Sequence, residues 1–168
     1  MPVKYQLHTV LCVMLIYACA PETRSIAQAR HDQLSPQSFP LDQPGEHVFH
    51  FRQAQNGEMT LLLHVEGAGE QNRSELTGLR TILGVTLVDS VGQIVCQAVG
   101  SPKEGISTDS WVLGTSRGEA AFWHRGCSEV KLKRHKYYTL TVRLRDVDPN
   151  TPRIKVTPIL EPSDNYGP

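Results

Sequence analysis

The run Tyr138-Thr139-Leu140-Thr141-Val142-Arg143-Leu144 alternates apolar and polar side chains residue by residue. That period of two suits an extended strand with one face in a core and one in water. Shorter segments of the same kind recur at His47–Phe51, Met59–Val65, Ile82–Val88, Gln93–Ala98, Trp111–Leu113, Glu119–His124 and Arg153–Thr157. Turn signals separate them. Asn56-Gly57 reads as a hairpin turn, and so do Asp89-Ser90-Val91-Gly92, the glycine-bounded Gly114–Gly118 and Asp146–Asn150. Gly67–Gly78 and Gly100–Ser110 read as long loops, and Pro158 limits the last strand to an edge or ends it. A sustained 3.6-residue period and internal repeats are both missing. The expected fold is all-β, an antiparallel β-sandwich, with immunoglobulin-like and jelly-roll-like arrangements both open.

The N-terminus carries an address. Lys4 supplies a positive start, Leu7–Tyr17 an apolar run, and Ile16-Tyr17-Ala18-Cys19 resembles the lipobox of bacterial lipoproteins. The run is about half the ~20 residues that a spanning helix needs, which fits a signal peptide. Cleavage before Cys19 gives residues 1–18 as leader and a fatty-acyl (palmitate) anchor on Cys19. The alternative, cleavage after Ala20, gives a secreted or soluble periplasmic protein, but it must cut the tertiary amide before Pro21. Residues 19–36 then form a lipidated tether reaching on the order of 20–25 Å. The β-sandwich domain spans 37–162, and 163–168 is a disordered tail. By the sorting logic of the lipoproteins this start resembles, Ala20 in place of an aspartate after Cys19 implies the outer membrane in a Gram-negative cell, with the domain facing the periplasm.

Lysines and arginines number 17 against 17 aspartates and glutamates, so no net field draws the chain to nucleic acid. Cys12 leaves with the leader and Cys19 takes the lipid. Cys96 and Cys127 remain, an even pair in an oxidising compartment and without C-x-x-C spacing, and they are expected to form a disulfide. The bridge closes a loop of about 30 residues, worth roughly 3–4 kcal/mol on the chain-entropy model.

Motifs with the residue types of known chemistry are few. Gly114-Thr115-Ser116-Arg117-Gly118 matches the G-x-S-x-G nucleophile elbow, which requires a helix after the serine. A hairpin turn explains both glycines, and a small hydrolase using Ser116 is the remote alternative. The domain histidines His47, His50, His64, His124 and His135 form no metal-ligand spacing, and no metal or cofactor is expected. His47 and His50 should point to opposite faces of their strand. Asp146-x-Asp148-x-Asn150 opens like a calcium loop, but it lacks the turn glycine and the closing glutamate, so a polar turn is preferred. The dense charge run Lys131-Leu132-Lys133-Arg134-His135-Lys136 reads as a solvated loop. Its candidate second role is to bind lipid headgroups or phosphorylated glycans through Lys131, Lys133, Arg134 and Lys136. Trp111 and Trp123 are candidate sugar platforms, with core packing the first expectation for each.

Two sets of spaced residues point to a family. The first is Phe39-Pro40-Leu41 leading to Pro44-Gly45-Glu46. The second is Tyr138-x-Leu140-x-Val142 with Asp148-Pro149 and a closing Pro158-x-Leu160-Glu161. From Phe39 to Leu160 the chain resembles an uncharacterised family of bacterial β-sandwich lipoproteins. The resemblance implies an envelope binding module and carries no catalytic motif across. The expected function is therefore a non-enzymatic envelope lipoprotein that binds a protein partner, including an immunity or secretion-system accessory role. The alternative is a carbohydrate- or glycolipid-binding module. The presenting surface is expected to be a sandwich face, or the loops around 67–78 and 100–110.

Overall fold

The computed structural model describes residues 37–67, 73–103, 110–116 and 119–163. The leader, the lipobox at Cys19, the tether and the last five residues lie outside the described residues. Along the chain come β1 (Phe39–Pro40), β2 (Gly45–Arg52), β3 (Gly57–Val65), α1 (Arg73–Thr77), β4 (Ile82–Asp89), β5 (Ile94–Gly100), β6 (Pro102–Lys103), β7 (Trp111–Ser116) and β8 (Glu119–Trp123). A 3-10 turn (Arg125–Cys127), β9 (Val130–Leu132), β10 (Tyr137–Arg145) and β11 (Lys155–Pro162) follow. One sheet has seven strands in the order β1-β11-β3-β8-β7-β6, with β9 also on β3. The other has four, β2-β10-β4-β5.

The pairings nest. Phe39 faces Val156, Arg52 faces Tyr137, Leu62 faces Trp123 and Leu83 faces Gly100. The chain is thus one long antiparallel hairpin, and rolling it up lays β10 beside β4 and β11 beside β3. This is the jelly-roll alternative, with β6 and β7 added at one edge and β6 parallel to β7.

Alternation fills the space between the sheets. In β10, Tyr138, Leu140, Val142 and Leu144 are buried while the residues between them are partly exposed. They meet Leu61 and Leu63 of β3, Leu83, Val85 and Leu87 of β4, and Phe122 of β8 in one core. Trp111 is completely buried there, and its indole Nε1 donates to the Leu83 carbonyl of the opposite sheet at 2.9 Å. Cys96 and Cys127 are disulfide-bonded with Cα atoms 5.3 Å apart, tying β5 to the 3-10 turn. That turn sits close against β5. A Cβ on Gly126 would lie 2.8 Å from the Gln97 carbonyl oxygen.

Three local expectations change, and a fourth holds in one of its two forms. Asn56-Gly57 joins β2 to β3 but makes no hairpin, because those strands belong to different sheets. Asn56 instead accepts from the Arg134 backbone N–H through Oδ1 at 2.7 Å. The Gly67–Gly78 stretch contains α1, whose Leu76 is completely buried; its short apolar content is too brief to show a helical period. Pro158 does not end β11, but it does sit at an edge, the other form of the expectation. β1 covers only Lys155 and Val156, so among the described residues that side of β11 has no partner strand from Thr157 onward and a missing N–H is tolerated there. The strand ending in the Gly114–Gly118 stretch also runs further than expected, through Ser116.

By contrast, Asp89–Gly92 is a true hairpin. Gly92 adopts φ 82°, and the Asp89 carboxylate accepts from the backbone N–H groups of Val91 and Gln93.

Candidate binding surface

The outward face of the four-stranded sheet is built by the same alternation that builds the core. One row across it is Val48, Thr141, Thr86 and Gln97, and the next is Glu46, Arg143, Gly84 and Val99. Glu46 and Arg143 form an ion pair, and His50 Nδ1 lies 3.0 Å from the Thr139 hydroxyl. Gly84 keeps the sheet low between taller neighbours, since a Cβ there would meet Val99 at 3.5 Å and Arg143 at 3.7 Å. Among the described residues, the exposed large apolar side chains are Val48 (45%), Val91 (82%), Ile94 (56%), Val99 (57%) and Tyr137 (62%). All five lie on this sheet or in the hairpin joining β4 to β5. None lies on the seven-stranded sheet.

One end of the sheet is positive. The loop Lys133–Lys136 is exposed throughout and is tied down by backbone bonds. Gln53 N–H donates to Lys136 O at 2.9 Å, His135 N–H to Gln53 O at 2.8 Å, and Lys133 N–H to the Tyr138 hydroxyl at 2.9 Å. His135 takes a left-handed φ of 63°, which makes the turn tight enough for these bonds. The Arg52 guanidinium stands over the Tyr137 ring, 5.8 Å from its centroid, within cation–π range. Lys131 points out of β9 and pairs with Glu58 at 3.3 Å.

The opposite end brings the two singled-out loop regions together. A cleft of about 520 Å³ lies between Thr77–Arg80, the end of α1 and the residues after it, and Val99–Pro102, with Ile82 and Ser110 completing its lining. Residues 68–72 and 104–109 of those loops lie outside the described residues. Next to the cleft, the Asp148 carboxylate accepts from the backbone N–H groups of Asn150 and Arg80. Those bonds, Asn150's first, hold its carboxyl below the usual range. The Asp146–Asn150 stretch is therefore a self-satisfied turn. Among the described residues, no group of three or more His, Cys, Asp or Glu side chains is placed to hold a metal ion.

The remaining predicted residues are dispersed. Ser116 sits inside β7 and donates its hydroxyl to Glu161 Oε2 at 3.2 Å, with both side chains buried. A strand follows it where an elbow requires a helix. His124 caps the 3-10 turn, accepting from Gly126 N–H at 2.9 Å, and packs edge-on against Trp111. His64 pairs with Glu119, and His47 stacks on Phe39 at 4.7 Å on the face opposite to His50. Trp111 is removed from the surface by the core. Trp123 is half-buried on the outer side of the seven-stranded sheet with Leu62, Ala121 and Ile159, while its neighbour Phe122 faces the main core.

The sequence expectations missed Arg52, Val91 and Tyr137. Tyr137 adjoins the basic run but carries no charge, and Arg52 and Val91 are far from it in sequence and reach it only through the β2–β10–β4 register. No helix among the described residues is long and apolar enough to cross a membrane. Compared with protein-family models, with curated proteins and with solved structures, the chain has no match.

Proposed function

We propose that this is a non-enzymatic binding module of the cell envelope, anchored through an acyl chain on Cys19, that presents its four-stranded sheet to a protein partner. The observation that carries the reading is that, among the described residues, the exposed large apolar side chains all lie on that sheet or in its β4–β5 hairpin. Val48 and Val99 stand on a low, threonine-rich face flanked by the Glu46–Arg143 pair. Apolar centres with a polar surround are what protein interfaces use. The Cys96–Cys127 bridge suits an oxidising compartment, in line with the leader. Ser116, with a carboxylate partner and a strand after it, lends no support to hydrolysis. A partner that is toxic when free, blocked by this face, fits the immunity or secretion-accessory role.

The test is photocrosslinking in cells from a reactive side chain placed at Val48 or Val99, with Lys155 as the site away from the face. The expected result is one dominant adduct from both face positions and none from Lys155. Equal yields from all three positions, or adducts from Lys155 alone, refute the reading.

A further inference from the structure

The end of the four-stranded sheet that carries Arg52 and Tyr137 has a different chemistry from its face. We infer that this end seats on a membrane surface bearing anionic phosphate headgroups. The inference draws on the envelope address proposed above but not on the protein partner.

Charge comes first. Arg52, Lys131, Lys133, Arg134 and Lys136 gather at this end against the carboxylates of Glu58, Asp89 and, just before β9, Glu129, in a chain whose acidic and basic residues are equal in number overall. Glu58 is engaged by Lys131, and Asp89 spends its carboxylate on the turn N–H groups. Four cations are left facing water. They are also held in place, since Lys133–Lys136 is bonded to the β2–β3 connection and Arg52 Nε reaches the His135 carbonyl at 3.5 Å. A loop whose backbone is already ordered loses little loop freedom on binding.

Apolar groups come second. Tyr138 faces Asp89 in the β10–β4 ladder, so the tip of the Asp89–Gly92 hairpin lies one strand away from Tyr137. Paired strands lie roughly 5 Å apart, so the base of that hairpin adjoins the start of β10. Val91, the most exposed large apolar side chain described, crowns this tip. Tyr137 stands beside it, an aromatic ring with a polar end, which suits the headgroup layer. A lone valine on a hairpin tip gains little from solvent, whereas at a bilayer it enters the interface between the cations. A soluble phosphate ligand would use the cations but would leave Val91 and Tyr137 idle. That asymmetry favours a surface over a small molecule.

The test uses the full chain and two kinds of vesicle, phosphatidylcholine alone and phosphatidylcholine mixed with phosphatidylglycerol. An acyl anchor or leader acts on both, so the ratio of the two affinities isolates this end. The wild-type chain should prefer the anionic vesicles, and salt should erase the preference. Lys133→Gln, Arg134→Gln and Lys136→Gln together should lower the ratio by roughly a hundredfold, at about fivefold per charge. Arg145→Gln with Lys155→Gln, at the far end, should leave it unchanged. Hydrogen exchange on the anionic vesicles should slow at both Asp89–Gln93 and Lys133–Tyr137.

Circular dichroism separates loss of binding from loss of fold. If the triple variant is unfolded, the exchange footprint on the wild-type chain decides. A wild-type ratio near one overturns the inference, as does an equal fall in the far-end variant. Release by inorganic phosphate with no slowing at Val91 assigns the cations to a soluble phosphate and also overturns it.

Discussion

Replacing Cys96 and Cys127 together by alanine removes the one covalent link described between the two sheets. The half-cystines are 31 residues apart in sequence, and the chain-entropy expression for a loop of that size gives about 3.7 kcal/mol at 25 °C. Both residues are buried, so the alanines lose a little packing, on the order of 1 kcal/mol more. Against a domain stability of about 5–15 kcal/mol, the loss is a large share and lowers Tm by roughly 10–20 °C. Urea unfolding followed by circular dichroism measures it, on wild-type and variant chains with and without reductant. Reductant should bring the wild-type curve onto the variant's to within about 1 kcal/mol, and should leave the variant unmoved. The variant's m-value should rise slightly, because an unlinked unfolded chain exposes more surface. A loss below about 1 kcal/mol would falsify the picture, since the loop closed by Cys96 and Cys127 would then be restrained without the bond.

Three further outcomes follow from local geometry. Gly126→Ala pushes a methyl group against the Gln97 carbonyl and the His124 ring, and should cost about 1–3 kcal/mol in urea unfolding. Gly114→Ala, whose Cβ meets only Trp123 at 3.5 Å, should cost far less. Trp111→Phe removes the donor to the Leu83 carbonyl and leaves a gap between the sheets, an expected loss of about 2–4 kcal/mol with no change in disulfide content. Burial holds the His47 imidazole below its ordinary value, and its Nε2 is buried without a hydrogen-bond partner. The unfolded chain therefore takes up this proton first, and the His47 contribution to stability is complete above about pH 6.5 and declines as the pH falls below it. His47→Phe should flatten that part of the pH profile of the urea midpoint. An unchanged profile assigns the dependence to other groups.

Alternation over Tyr138–Leu144 was enough to identify a half-buried strand, and its four inward residues are the ones that reach the core. The Asp89–Gly92 hairpin was equally legible, because a turn of this kind is written in consecutive residues: an aspartate to accept N–H groups and a glycine to take positive φ. The pairing of Cys96 with Cys127 followed from compartment and count. Local signals misled where a residue's role depends on a distant strand. Asn56-Gly57 has hairpin composition, yet its flanking strands find better partners in β10 and β11, so the turn crosses between sheets. Pro158 was rightly read as an edge residue, but that β11 runs on past it to Pro162 depends on the shortness of β1 and on pairing with β3.

The candidate surfaces divide in the same way. The cations of residues 131–136 were plain in the sequence because charge is a local property. That Val48 and Val99 are left outside, that Trp111 and not Trp123 reaches across to Leu83, and that Arg52 and Val91 join the basic loop were decided by register. Period-two patterning says which side chains share a face, but it carries no label for the strand that lies next to that face. Choosing the neighbour takes the rolling of the whole hairpin, a balance of contacts between residues as far apart as Phe39 and Val156.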